Sequence, residues 1–192
     1  MADPLVLARD WLAAAAAAGI AEPEAAALAT GSADGTPSVR FVLVRGIDEV
    51  GVRFYTNYGS RKGRELDANP RAALALWWPP LQRQLRCEGT VERLPEEESD
   101  AYFASRSRGS QLGAWASRQG SVLSGREALD AALREAAERF AGEAVPRPEW
   151  WGGYLLRPDT VEFWEGRPNR LHDREHFVRE PGGGWRSERL SP

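Results

Sequence analysis

Apolar and polar positions alternate along much of this chain, and the alternation predicts strands. Gln82–Leu94 sets Leu85 and Cys87 against Gln84 and Arg86. Val39–Val44 is β-branched and apolar, Val52–Thr56 returns after a turn at Asp48–Gly51, and Ala72–Trp78 follows Asn69-Pro70. Ala25–Thr30 runs into Ala33-Asp34-Gly35, a hairpin signal. Farther on, Gly153–Leu156, Val161–Trp164, His176–Arg179 and Trp185–Leu190 read as short strands, the last two joined by three glycines. Helices are marked by their ends. Asp3-Pro4 supplies a cap and a first-turn proline for an alanine-rich run to about Ala18, stopped at Gly19. Ser60 caps a short helix through Leu66, and Pro95 opens another with three glutamates in its first turn. Ser124-Gly125-Arg126-Glu127 reads as a capping box before a helix to about Phe140.

Strands follow strands across short turns, with helices between groups. The expected class is α+β, mainly antiparallel β, as a small closed or partly closed barrel with flanking helices rather than an alternating βαβ fold. The 192 residues fit one domain, 1–192, with no repeat or linker. A hydrophobic share of 42% against 28% charged residues excludes a mostly disordered chain. No apolar run reaches the roughly 20 residues that cross a bilayer, and Leu12–Ile20 lacks the flanks of a signal peptide. One cysteine, Cys87, excludes an internal disulfide or a cysteine-built zinc site, so a cytoplasmic protein is expected. The net charge of −3 gives no nucleic-acid footprint. Two oddities remain. Among 25 basic residues only Lys62 is a lysine, and there are eight tryptophans, most of them expected in the core.

The chain has no G-x-G-x-x-G after a strand, no P-loop and no nucleophile elbow, so three large enzyme classes fall away. His172 and His176 stand four apart, but the segment reads as a turn entering a strand and Asp173 occupies the place of the zincin glutamate. No metal is expected there. Tyr55 to Lys62 runs from a strand end into a helix start, where free N–H groups, Thr56, Ser60, Arg61 and Lys62 suit a phosphate as well as they suit an ordinary capped helix. Arg40 and Arg45, five apart on a strand, face opposite sides. Tyr102 and Arg106, four apart on a helix, make with Ser110 either a second phosphate site or a surface pair.

Together these stretches resemble the pyridoxamine 5′-phosphate oxidase family. The resemblance runs through Arg40–Val44, Phe54–Asn57, Gly59–Lys62, Arg83-Gln84, Tyr102-Phe103, Ser110–Trp115, Ser117–Gln119, Trp151–Gly153, Glu162–Trp164, Arg170–Arg174 and Arg189–Pro192. It covers nearly the whole chain, and its most specific runs are Arg-Leu-His-Asp-Arg and Ser-Gln-Leu-Gly-Ala-Trp. It implies an FMN-binding split barrel, a homodimer with flavin sites at the interface, and oxidation of pyridoxine or pyridoxamine 5′-phosphate to pyridoxal 5′-phosphate by O2. Arg40, Tyr55, Thr56, Arg61, Lys62, Gln84 and Gln119 would bind FMN, with Trp164 and Arg174 reaching it from the other subunit. Arg45, Tyr102, Arg106 and Ser110 would hold the substrate phosphate, with Arg170 and His172 over the substrate ring as the catalytic pair. Alternatives are a phenazine-type flavin oxidase and a non-catalytic flavin- or pyridoxal-phosphate-binding protein. Three departures from the family pattern stand out: Arg45 replaces a usual lysine, Gly120 replaces a frequent serine, and the basic N-terminal extension that covers the site in some members is missing.

Overall fold

The computed structural model describes residues 3–192. The chain runs α1 (Pro4–Ala17), β1 (Ala25–Gly31), β2 (Pro37–Ile47), β3 (Val52–Asn57), α2 (Arg61–Ala68), β4 (Arg71–Trp78) and β5 (Arg83–Arg93). It continues with α3 (Glu96–Ser105), α4 (Arg108–Ala116), α5 (Arg126–Arg139), β6 (Trp151–Glu165), β7 (Asp173–Arg179) and β8 (Trp185–Arg189). The strands are antiparallel in the order β3-β2-β1-β4-β5-β6-β7-β8, and β3 also pairs with β6. That last pairing closes six strands into a barrel and leaves β7 and β8 as an extension of its wall.

The barrel closes around the residues that the alternation points inward. Leu28, Phe54, Leu74, Leu76, Leu85, Cys87, Leu156 and Val161 are buried, and α1 packs Leu5, Ala8 and Trp11 against the same cluster. Asp3 caps α1 by accepting from the Leu5 N–H at 2.8 Å. A second, smaller cluster of Phe103, Ala114, Phe140, Val145 and Trp151 joins the helices to the barrel.

Three expectations are corrected. Gly153–Leu156 and Val161–Trp164 belong to one 15-residue strand, β6. Its pairing with β5 shifts between Glu88 and Gly89, so Asp159 is an extra residue bulged out of register. Pro158 sits at that bulge opposite Gly89, past the stretch that pairs with β3 and before the stretch that pairs with β7. The capping box at Ser124 does not form: Gly125 occupies the cap of α5 and no side chain caps it. Only three of the eight tryptophans (Trp11, Trp78 and Trp151) are buried, whereas Trp77 is 46% exposed on the barrel's outer face.

Candidate active site

A cavity of about 790 Å³ opens between the outer face of β2 and β3 and the helices α3 and α4. Leu43, Arg45, Tyr55, Thr56, Tyr102, Arg106, Ser110, Gln119 and Trp151 line it. The alternation of β2 explains how Arg45 arrives there. Arg40 shares the inward parity of Val42 and Val44, and Arg45 shares the outward parity of Leu43, as the five-residue spacing implies. Gly153 lets Tyr55 seat closely against β6, because a Cβ there would stand 2.5 Å from Leu94 Cδ1 and 2.7 Å from the Tyr55 ring.

The rings of Tyr55, Tyr102 and Trp151 form a parallel stack, with centroids 3.8 Å apart for the first pair, 5.7 Å for Tyr55 and Trp151, and 6.2 Å for Tyr102 and Trp151. The Arg106 guanidinium lies 4.6 Å from the Trp151 ring centre. Helix α3 ends at Ser105, so Arg106 is not on the helical face of Tyr102 as expected; it follows in extended conformation and still meets Tyr102 at the cavity. Its buried Nη1 has no hydrogen-bond partner among the described residues. Burial pulls the Arg106 guanidinium below its ordinary value, and the nearby Arg45 adds to the effect. Arg45 itself makes a 3.4 Å ion pair with Glu24.

Behind the cavity wall lies Lys62. Its Nζ donates to Thr56 Oγ1 at 3.0 Å, Ser60 Oγ at 3.2 Å and Gln119 Oε1 at 3.0 Å. All three ammonium donors are thereby spent on neutral acceptors, although the residue is only 7% exposed. Burial, and next the charge of Arg40, bring its pKa down to about 8. Ser60 caps α2 through the Gly63 N–H, as its position predicts. Gln119 is delivered by the loop after α4. Asn57 Nδ2 donates to the Ser117 carbonyl at 3.4 Å and the Arg118 guanidinium lies 3.5 Å from the Trp150 ring centre. Gly120, with φ +88°, follows in a conformation that serine adopts rarely. Arg40 and Arg61 both bond to Glu65, a buried carboxylate.

The remaining candidates lie elsewhere on the chain. Gln84 and Trp164 are cross-strand partners on β5 and β6. The Trp164 ring is 4.5 Å from that of His172 and 5.7 Å from that of Trp77. Arg174 on β7 grips Glu162 with two bonds of 2.9 and 3.0 Å. The His172 Nδ1 accepts the Arg167 N–H at 3.1 Å, which puts the proton of a neutral ring on Nε2. Arg170 and its neighbour Asn169 both take left-handed backbone, with φ of 62° and 58°, a conformation that costs about 1–3 kcal/mol and marks functional loops. None of these five side chains (Gln84, Trp164, Arg170, His172, Arg174) lines the cavity. Among the described residues no cluster of histidine, cysteine and carboxylate could hold a metal ion.

Glu65 and Trp151 escaped the reading of the sequence as functional residues. The four-residue spacing of Arg61 and Glu65 was a signal for the first; nothing local signals the second.

Comparison with known proteins adds a second line of information. Residues 12–140 match the family model described as pyridoxamine 5′-phosphate oxidase, and residues 151–192 match the C-terminal dimerisation region of pyridoxine 5′-phosphate oxidase. The chain is 57% identical over 190 residues to a pyridoxine/pyridoxamine 5′-phosphate oxidase of Rubrobacter xylanophilus, covering 99% of this chain and 87% of that one. It is 54% identical to the enzyme of the same name from Anaeromyxobacter dehalogenans, covering 99% and 96%. Among solved structures, PhzG from Burkholderia lata, in complex with tetrahydrophenazine-1-carboxylic acid, superposes with a TM-score of 0.94 at 38% identity, over 100% of this chain and 94% of that one. An FMN-binding protein from Nostoc punctiforme, related to pyridoxamine 5′-phosphate oxidase, shares the fold with a TM-score of 0.78 at 21% identity, over 96% and 97%.

Proposed function

The chain belongs to the pyridoxamine 5′-phosphate oxidase family, and from that premise we propose that it oxidises pyridoxine or pyridoxamine 5′-phosphate to pyridoxal 5′-phosphate as a cytoplasmic, FMN-dependent homodimer. One observation carries the reading: two separate cationic groups, each without an anion of its own among the described residues, flank a single cavity. Lys62 is a buried ammonium among neutral oxygens, and Arg106 keeps a buried donor unpaired. Buried charge of this kind is costly until an anion meets it. Two phosphates, one on a cofactor and one on a substrate, answer the two sites.

The residues fit FMN accordingly. Arg40, Arg61, Lys62 and Thr56 hold its phosphate; Tyr55, Gln84 and Gln119 contact the rest of the group, with Trp164 and Arg174 supplied by the second chain. Bound FMN supplies the acceptor for the hydride leaving the exocyclic carbon of the substrate, with O2 taking the electron pair onward as H2O2. The chain's own work is positioning. Arg45, Tyr102, Arg106 and Ser110 grip the substrate phosphate at one end, charged contacts worth about 1.5–3 kcal/mol each. The stacked Tyr55, Tyr102 and Trp151 keep that end rigid. Arg170 lies against the pyridine face and His172 donates from Nε2, which fixes the ring's orientation. Hydride loss needs no acid–base pair of carboxylates, and the cavity lining contains none. The fold supports one functional unit, since β6 both closes the barrel and carries β7.

The test is an absorption spectrum of the purified protein, followed by pyridoxine 5′-phosphate under air. A flavin spectrum, aldehyde formation and oxygen consumption are expected. A yellow protein inert to both phosphorylated vitamers would instead favour chemistry of the phenazine type. A protein unable to take up FMN would end every flavin reading.

A further inference from the structure

We propose that Glu65 is the positioning residue of the cofactor-phosphate cradle, holding Arg40 and Arg61 ready beside Lys62. The inference rests on the assignment of the FMN phosphate to that cluster. Glu65 lies one helical turn after Arg61 on α2, and its side chain is buried against the hairpin end of β1 and β2. Its Oε1 accepts from Arg61 Nε at 2.7 Å. Its Oε2 accepts from Thr30 Oγ1 at 2.5 Å, Ser38 Oγ at 2.5 Å and Arg40 Nη2 at 3.2 Å. Arg40 is pinned further by Nη1, which donates to the Leu28 carbonyl at 3.1 Å and to Thr30 Oγ1 at 2.6 Å.

Four donors from one helix and two strands thus meet on a single carboxylate. Burial alone would raise its pKa, but the bonds from Ser38, Thr30, Arg61 and Arg40 prevail and hold it at about 2, so it is ionised throughout the working range. An arginine free to swing must give up side-chain entropy when it binds phosphate; one already fixed does not. The planar guanidinium also rewards fixed orientation more than an ammonium does. The charges fit as well. Arg40, Arg61 and Lys62 against one Glu65 leave two positive charges, matching a phosphate monoester near its dianion.

Two plainer roles predict different results. Glu65 could serve only to fasten α2 to the barrel, or only to subtract charge. Binding of FMN and of riboflavin to flavin-stripped protein, followed by flavin fluorescence, separates all three. For Glu65→Gln, which keeps the volume and one acceptor, positioning predicts weaker FMN binding by about tenfold with riboflavin binding unchanged. Tighter FMN binding would mean that charge subtraction dominates, and equal loss for both flavins would mean a fastening role; either overturns the proposal, as does unchanged FMN affinity. Lys62→Ala and Arg61→Ala serve as references. If they bind FMN like the parent, the phosphate assignment itself has failed. If they lose FMN while Glu65→Gln does not, only the positioning role has.

Discussion

The Lys62 cluster and the β6–β7 face both hold candidate site residues, but they are finished to different degrees. Around Lys62, bonds within one chain tie the ammonium to Thr56, Ser60 and Gln119 and tie Glu65 to Arg40, and Thr56, Ser60, Lys62 and Glu65 are buried. On the other face Trp164, His172 and Arg170 border solvent, with Leu171 69% and Trp77 46% exposed beside them, and farther along the sheet Phe41 on β2 is 76% exposed. Phe41 faces Ala27 and then Ala75 across β2, β1 and β4, so the exposed strip is a continuous sheet surface of small and apolar residues. The contrast fits the proposed function, in which one chain supplies the anion-binding half of the site and a second copy supplies the other. The match of residues 151–192 to a dimerisation region agrees with that division.

The largest effect is expected when one half is damaged in each of two chains. Lys62→Ala and Arg174→Ala proteins should each be nearly inactive alone. Mixed under conditions that exchange subunits, they should recover activity, because one site of each heterodimer then combines an intact Lys62 with an intact Arg174. Oxygen uptake on mixing reads this directly, and silence despite proven exchange would place both residues in the same half.

A smaller effect is expected within the cavity. Arg45→Ala should raise the KM for pyridoxine 5′-phosphate by roughly 10- to 100-fold, the scale of one charged hydrogen bond, while FMN content stays constant. Arg45→Lys should remain active. Steady-state kinetics with flavin counting checks both; an unchanged KM for the alanine variant would leave Arg45 to its ion pair with Glu24.

The smallest effect concerns pH and has opposite signs for the two states of the finished half. Lys62 titrates at about 8 in the folded chain against 10.5 for an ordinary lysine. Between those values the unfolded chain binds more protons, so the flavin-free protein should gain stability as pH rises through 8. FMN affinity should fall over the same interval, because the phosphate loses its ammonium partner. Thermal melts and FMN titrations at pH 7 and 9 check the pair, and Lys62→Met should flatten both trends.

Much of the fold was legible because local rules agreed with the tertiary outcome. Apolar alternation marked the barrel strands, Asp3 and Ser60 marked helix starts, and the spacing of Arg40 and Arg45 placed them on opposite faces. The errors arose where a long-range partner overrode a local signal. Pro158-Asp159 looks like a break, but Gly89 across the ladder absorbs the extra residue as a bulge. Tyr102 and Arg106 meet at the cavity without sharing a helix, because Trp151, nearly fifty positions on, supplies the surface that Arg106 lies against. Glu65 belongs with these: in isolation it is one more polar residue on a polar helix, and its importance appears only when Thr30, Ser38 and Arg40 arrive from the strands.

Strand β6 begins at the residue where the second family region begins, which gives the boundary a mechanical meaning. In a cask, β6 would be a stave rather than a handle. A chain cut at that point would keep every element of the first region yet expose the backbone edges of β3 and β5 together, two open templates for pairing with other molecules. The two family regions therefore share one barrel wall, and the first closes only with a strand that the second supplies.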